Sequence, residues 1–141
     1  MVENKMLETD FKEIFENIRN EILNAQYDIY KSANRRTLAL YSYLGKIIYE
    51  NAKYGSRFIN NLSIALKINF PNIKGFSERN LTNMKKYYLE CEKNKKLKEL
   101  TEKIPWSHNM LIFSKIKNEE QRKWYIEQTS INGWSYDELG F

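Results

Sequence analysis

Side chains able to do chemistry are few in this chain, and they are not grouped as catalysis requires. His108 is the only histidine and Cys91 the only cysteine. Acid–base and nucleophilic routes need groups poised in pairs, and a single cysteine excludes both an internal disulfide and any zinc site built on two cysteines of one chain. No compact cluster of Asp and Glu has the spacing of metal ligands. The five glycines, Gly45, Gly55, Gly75, Gly133 and Gly140, belong to no phosphate-cradling loop. Glu3-Asn4-Lys5 has the Glu-x-Lys spacing of half a metal-dependent nuclease site, but no upstream acid and no strand accompany it. The expectation is a chain with no catalytic residue, no metal and no cofactor. His108, next to Ser107 at a helix start, reads as structural, and Cys91 as a small core residue.

Charge is the more informative signal. The formal net charge is +5. Residues 1–52 hold 7 basic and 8 acidic side chains, 53–103 hold 12 and 5, and 104–141 hold 4 and 5, so the whole excess lies in the middle. A localised basic block is the electrostatic footprint of an anionic partner. The alternative is plain solvated lysines, since 17 of the 23 basic residues are Lys and Asn is also abundant, as an AT-rich genome would give.

Within that block, a helix starting at Ser77 carries Leu81, Met84, Tyr88 and Cys91 on one stripe, which predicts its buried side. Rotation of 100° per residue then places Arg79, Thr82, Asn83 and Lys86 on the opposite face. Arg can bond bidentately to guanine, Asn to adenine, and Lys can neutralise phosphate. The candidate nucleic-acid-binding residues are therefore Arg79, Asn83 and Lys86, with Thr82 beside them and Arg57, Lys74 and Lys85 assisting at phosphates. Glu78 and Glu90 share the helix and would repel phosphate, which keeps a protein-interaction reading open.

The elements positioning these residues are predicted to be helices throughout, because no alternating strand pattern of useful length occurs. A long amphipathic helix carries Phe11, Ile14, Phe15, Ile18, Ile22 and Ile29 on one stripe, and it suggests a homodimer through the N-terminal helices. Ser32 and Asn34 offer caps for a second helix through Leu40, Tyr41, Leu44, Ile47 and Ile48. Ser56 is placed to cap a third, through Phe58, Leu62, Ala65, Leu66 and Ile68, ending before Pro71. Turn chemistry over Pro71 to Gly75 separates it from the Ser77 helix. The result resembles a helix-turn-helix unit at about 57–91, with a turn longer than the simple motif allows. Beyond it, Lys93 to Lys103 reads as a weakly anchored helix or helical linker. Two apolar helices follow, one capped by Ser107 and one begun at Asn118 and carrying Trp124, Tyr125 and Ile126 into the core. Ser135 to Glu138 has capping-box spacing, so the ending at Phe141 suggests a piece of a longer protein. The fold class expected is all-α, a compact multi-helix domain over 1–141 with a flexible tail at 1–6. The chain lacks an apolar leader and an 18-residue apolar run, and a cytoplasmic location is expected.

Five ordered blocks carry a family resemblance. Tyr41 to Gly45 with Lys46 to Ile48, Gly75 to Leu81, Trp106-Ser107-His108, Trp124-Tyr125 and Trp134-Ser135 resemble the landmarks of the YhcG-type N-terminal domain, from about residue 11 to the end. The resemblance implies a helical, winged-helix-like DNA-binding module ahead of a nuclease-like domain of the PD-(D/E)XK fold, with that domain as a partner. The acids and lysine of the nuclease-like domain have no counterpart here, so its cleavage chemistry does not carry over. By position, Gly75-Phe76-Ser77 forms the turn and cap before the family's central helix, and Asn80-Leu81 matches its Asn-Leu pair. On the helical wheel Asn80 falls at the buried boundary, which suggests a structural role. Two readings result: a DNA-binding or targeting module of a nuclease, or a protein-interaction or dimerisation domain that does not touch nucleic acid.

Overall fold

Three short polar residues decide where the central helices begin. The Ser77 hydroxyl accepts from Asn80 N at 3.1 Å, the Asn94 side-chain Oδ1 from Leu97 N at 3.1 Å, and the Asn118 side-chain Oδ1 from Gln121 N at 3.0 Å. Each satisfies a donor that the first helical turn leaves without a partner. In the computed structural model, which describes residues 8–140, these caps open α3 (Glu78–Lys93), α4 (Lys95–Thr101) and α6 (Glu119–Asn132). They follow α1 (Glu8–Glu50) and α2 (Ser56–Asn69), and α5 (Trp106–Lys115) lies between α4 and α6. Short 3-10 turns occupy Ala52–Tyr54 and Asp137–Leu139. The fold is all-α, with no strand among the described residues. The tail expected at 1–6, Glu3-Asn4-Lys5 within it, and Phe141 lie outside the described residues.

The first correction concerns the N-terminal half. Two helices capped near Ser32 and Asn34 are instead one helix of 43 residues. Nothing between Ile29 and Leu38 breaks a helix, and the Asn34 amide is engaged elsewhere. It donates to the carbonyls of Glu102 at 2.9 Å and Ile104 at 3.0 Å, so tertiary demand overrides its capping preference.

The chain divides into two units, residues 1–33 and 34–141. In the first, every described residue is exposed. The second holds two apolar clusters. One gathers Leu38, Tyr87, Leu97, Ile104, Ile112 and Ile126 among others; the other holds Ile48, Phe76, Leu81 and Met84. Trp106 packs against both. Where α1 crosses α3, a Cβ on Gly45 would collide with the Met84 carbonyl, so the absence of a side chain sets how closely the two backbones approach.

Further differences follow from packing. Tyr87, not Tyr88, is the buried tyrosine of α3, at 1% exposure. Tyr88 is half-buried near Tyr49. Tyr87 reaches inward because its hydroxyl finds a partner: Thr101 donates to the Lys98 carbonyl and accepts from Tyr87 at 2.8 Å. The stretch after Lys93 is well anchored rather than loose, with Leu97, Leu100 and Ile104 all buried. Gly55 and Pro105, not Ser56 and Ser107, hold the N-cap positions of α2 and α5. Trp124 is exposed rather than in the core. The capping-box spacing near the C-terminus produces only a 3-10 turn, in which Ser135 accepts from Glu138 N at 3.2 Å and Leu139 is buried. Among the described residues no helix is long and apolar enough to cross a membrane.

Candidate functional site

The outer side of α3 repeats at three and four residues as Arg79, Asn83, Lys86, Glu90 and Lys93, a single stripe because 3.6 residues make one turn. Its lower part forms one wall of a groove of about 320 Å³. Asn83, Lys86, Glu90 and Lys93 line that wall, while Met110, Phe113, Ser114, Lys117 and Arg122 come from α5, the linker after it and α6. Lys86 and Lys93 are exposed, and neither has an ion-pair partner among the described residues. The Lys117 ammonium donates to the Phe113 carbonyl at 3.3 Å, at the C-terminal end of α5, where the helix dipole favours a cation.

Arg122 is different from these lysines. It is 5% exposed, and its guanidinium closes the end of α5 by donating to the Ile116 carbonyl at 2.6 Å and the Phe113 carbonyl at 3.2 Å. It lies over the Phe113 ring and pairs with Glu90 at 3.0 Å. Glu90, read from the sequence as an acid facing the partner, is therefore neutralised within the fold. Among the described residues, Lys86, Lys93, Lys117, Asn83 and Ser114 are the uncompensated polar residues that line the groove.

The expected site residues divide accordingly. Asn83 and Lys86 meet in the groove; Arg79, Thr82, Lys85, Lys74 and Arg57 are not among its lining residues. Arg79, Lys74 and Arg57 are exposed. Thr82 donates to the Glu78 carbonyl one turn back at 3.0 Å. Lys85 borders a separate depression with Ile48, Ala52, Gly55, Ser56 and Ile59. Sequence reading missed Lys93, Ser114, Lys117 and Arg122. Lys93 was reachable by continuing the stripe one more turn, because α3 extends through it. The other three come from elements whose approach to α3 no local pattern encodes.

A second constellation is structural. Trp106 Nε1 donates to Asn80 Oδ1 at 2.8 Å, and Asn80 Nδ2 donates to the Gly75 carbonyl at 2.7 Å. Gly75 adopts φ +105°, and a Cβ there would come within 2.7 Å of the Tyr41 hydroxyl. Trp106 stands edge-on to both Tyr41 and Tyr87, and burial raises the Tyr41 phenol above its usual range. His108 Nε2 donates to the Trp134 carbonyl at 3.1 Å, which requires a proton on that nitrogen. The Cys91 thiol is buried and pushed up to about 11, chiefly by desolvation, so it stays protonated at neutral pH. Among the described residues no group of three or more His, Cys, Asp or Glu could hold a metal ion.

The comparisons agree with this pattern of landmarks. The DUF1016 N-terminal domain, the YhcG-type domain that the five blocks resemble, matches residues 17–140 of the chain. Four of those blocks touch one another here: Tyr41, Gly75, Asn80 and Trp106 in one cluster, and His108 with Trp134 in a second. No curated protein and no solved structure matches the chain.

Proposed function

We propose that this chain, which belongs to the DUF1016 N-terminal domain family, is a non-catalytic DNA-binding module that targets a nuclease-like domain in the cytoplasm. The observation that carries the reading is the groove beside α3, where Lys86, Lys93 and Lys117 line the same groove as Asn83 while Glu90 is held by Arg122. Lysines without acidic partners attract a phosphate backbone and release its counterions, and an adjacent amide can accept and donate to a base edge. In this reading α2, the connection through residues 70–77 and α3 work as a helix-turn-helix-like unit. Arg79 lies one turn before Asn83 on the same stripe and reads a base, while Lys74, Lys85 and Arg57 add positive charge at more distant phosphates.

The test is fluorescence anisotropy with labelled double- and single-stranded DNA over a salt series. Replacing Lys86, Lys93 and Lys117 by Ala is expected to weaken binding for all sequences and to reduce the salt slope by roughly three units, one for each phosphate that is no longer neutralised. Unchanged affinity and slope in a triple variant that melts like the parent would remove the groove from the interface. Absence of binding even at low salt would leave the second reading, a protein-interaction module. That reading is favoured by a different observation, the exposed apolar stripe of α1.

A further inference from the structure

The first unit of the chain presents an apolar seam that no other described residue of that unit covers. Phe11, Phe15, Ile18, Ile22, Ala25 and Ile29 follow one another at steps of four and three residues. All six are exposed, the five large ones by between 50% and 68%. A helix lying on a globular core normally shows a wider stripe with a period of 3.6 residues. An unbroken 4-3 repeat holds a narrow seam that stays aligned only if two helices wind around each other. With Ile14 beside it, the seam offers on the order of 500 Å² of apolar surface per copy. A pair would then bury about 1,000 Å² before flanking stems are counted, the lower bound of a specific interface.

We propose that this seam pairs with the same seam of a second copy of the chain, in an antiparallel coiled coil. Three features of the sequence along α1 point to a second copy in that orientation. In antiparallel coiled coils the layers join the two kinds of seam position, so Phe11 lies opposite Ile29 of the second copy, Phe15 opposite Ala25, and Ile18 opposite Ile22. The six positions are thus self-complementary about one axis, as a twofold interface requires. The sizes also match, because each Phe15 ring meets a small Ala25. A parallel pair would set ring against ring in two layers, at Phe11 and at Phe15, and methyl against methyl at Ala25, crowding the first two and hollowing the third. The charges at the ends of the seam are complementary: with Phe11 opposite Ile29, Glu8 and Asp10 of one copy come beside Lys31 of the other, and antiparallel pairing also opposes the helix dipoles. Glu21 faces its own copy near the axis, an exposed position that solvent screens.

Sedimentation equilibrium of the whole chain at tens of micromolar tests the pairing. The expected mass is twice the 17.0 kDa of one chain. It should fall to that of one chain on replacing Ile18→Glu together with Ile22→Glu, two residues whose exposure keeps the variant folded, with an unchanged thermal melt as the control. A single-chain mass for the parent protein would overturn the proposal and assign the seam to another protein or to a further segment of a longer chain. A dimer that survives the double substitution would overturn it equally. Orientation is tested by mild oxidation of chains carrying Ile18→Cys or Ile22→Cys, with native Cys91 buried and out of reach. Cross-links should form between the two variants when mixed and not within either alone, whereas cross-links within each variant alone would overturn the antiparallel arrangement.

Discussion

Glu90 Oε2 lies 3.0 Å from a terminal nitrogen of Arg122, and this ion pair joins α3 to α6 while deciding the charge of the groove between them. Arg122 also holds the Phe113 and Ile116 carbonyls. Its replacement would leave the Ile116 carbonyl and a partly buried carboxylate without this donor, and the Phe113 carbonyl with Lys117 alone. Arg122→Met is expected to destabilise the fold by about 3 kcal/mol, measured by urea unfolding. A change within error of zero would show that the guanidinium is dispensable.

Glu90→Gln separates stability from binding. The amide keeps one hydrogen bond to Arg122 and removes a negative charge from the groove wall, so DNA affinity is expected to rise and the salt slope to steepen, with only a small loss of stability. Weaker DNA binding in a folded Glu90→Gln variant would contradict a phosphate-facing groove.

The Gly75, Asn80 and Trp106 cluster predicts a paired stability and fluorescence effect. Asn80→Ala removes the acceptor of the indole N–H and the donor to the Gly75 carbonyl, at an expected cost of about 2 kcal/mol for part-buried groups left unsatisfied. The emission of Trp106 should shift as its ring loses a fixed partner. Gly75→Ala should also destabilise, through both its positive φ and the Tyr41 hydroxyl. A normal melt for both variants would show that the cluster does not hold the α2–α3 connection.

Gly45→Ala should cost about 1–3 kcal/mol or more, because the added methyl meets backbone at Met84 rather than a side chain that can swing away. Met84→Asp should abolish cooperative folding, since Met84 is fully buried and a charge there would lose its hydration. Tyr87→Ala should cost more than Tyr88→Ala, by the difference between a buried ring with a hydrogen bond to Thr101 and a half-buried ring. The opposite order, by thermal melting, would show the register of α3 to be rotated.

Stability should fall at alkaline pH. Burial raises the Cys91 thiol from 9.0 to about 11, and burial first of all also raises the Tyr87 phenol. In the unfolded chain the thiol loses its proton near its ordinary value, whereas the folded chain retains it. The unfolded state therefore binds fewer protons between these values, and the stabilisation present below pH 9 is lost as pH rises towards 11. Melting temperature should be level near neutrality and decline above pH 9, with a shallower decline in Cys91→Ala. Rapid modification of Cys91 by a thiol reagent at neutral pH, without unfolding, would contradict its burial.

Helix type, caps and much of the α3 stripe were legible in the sequence because they depend on neighbours three and four residues away. Ser77, Asn118, the turn before Ser77 and the inward Leu81 and Met84 are of this kind, as are the five landmark blocks and their order. The continuity of α1 was not legible, because Asn34 looks like a cap until the carbonyls of Glu102 and Ile104 are brought to its amide. Nor was the exchange of Tyr88 for Tyr87, which a hydroxyl partner on α4 decides. The groove shows the same division. Its α3 wall is a local periodicity, and Lys93 belonged to it by simple extension, but Lys117 and Arg122 join it only through the packing of α5 and α6. Glu90 changes from an unfavourable acid into the anionic half of an ion pair whose charge Arg122 balances. Short-range chemistry is written in the order of residues; which distant side chains share a space depends on helices whose approach is set by close packing at Gly45 and Trp106.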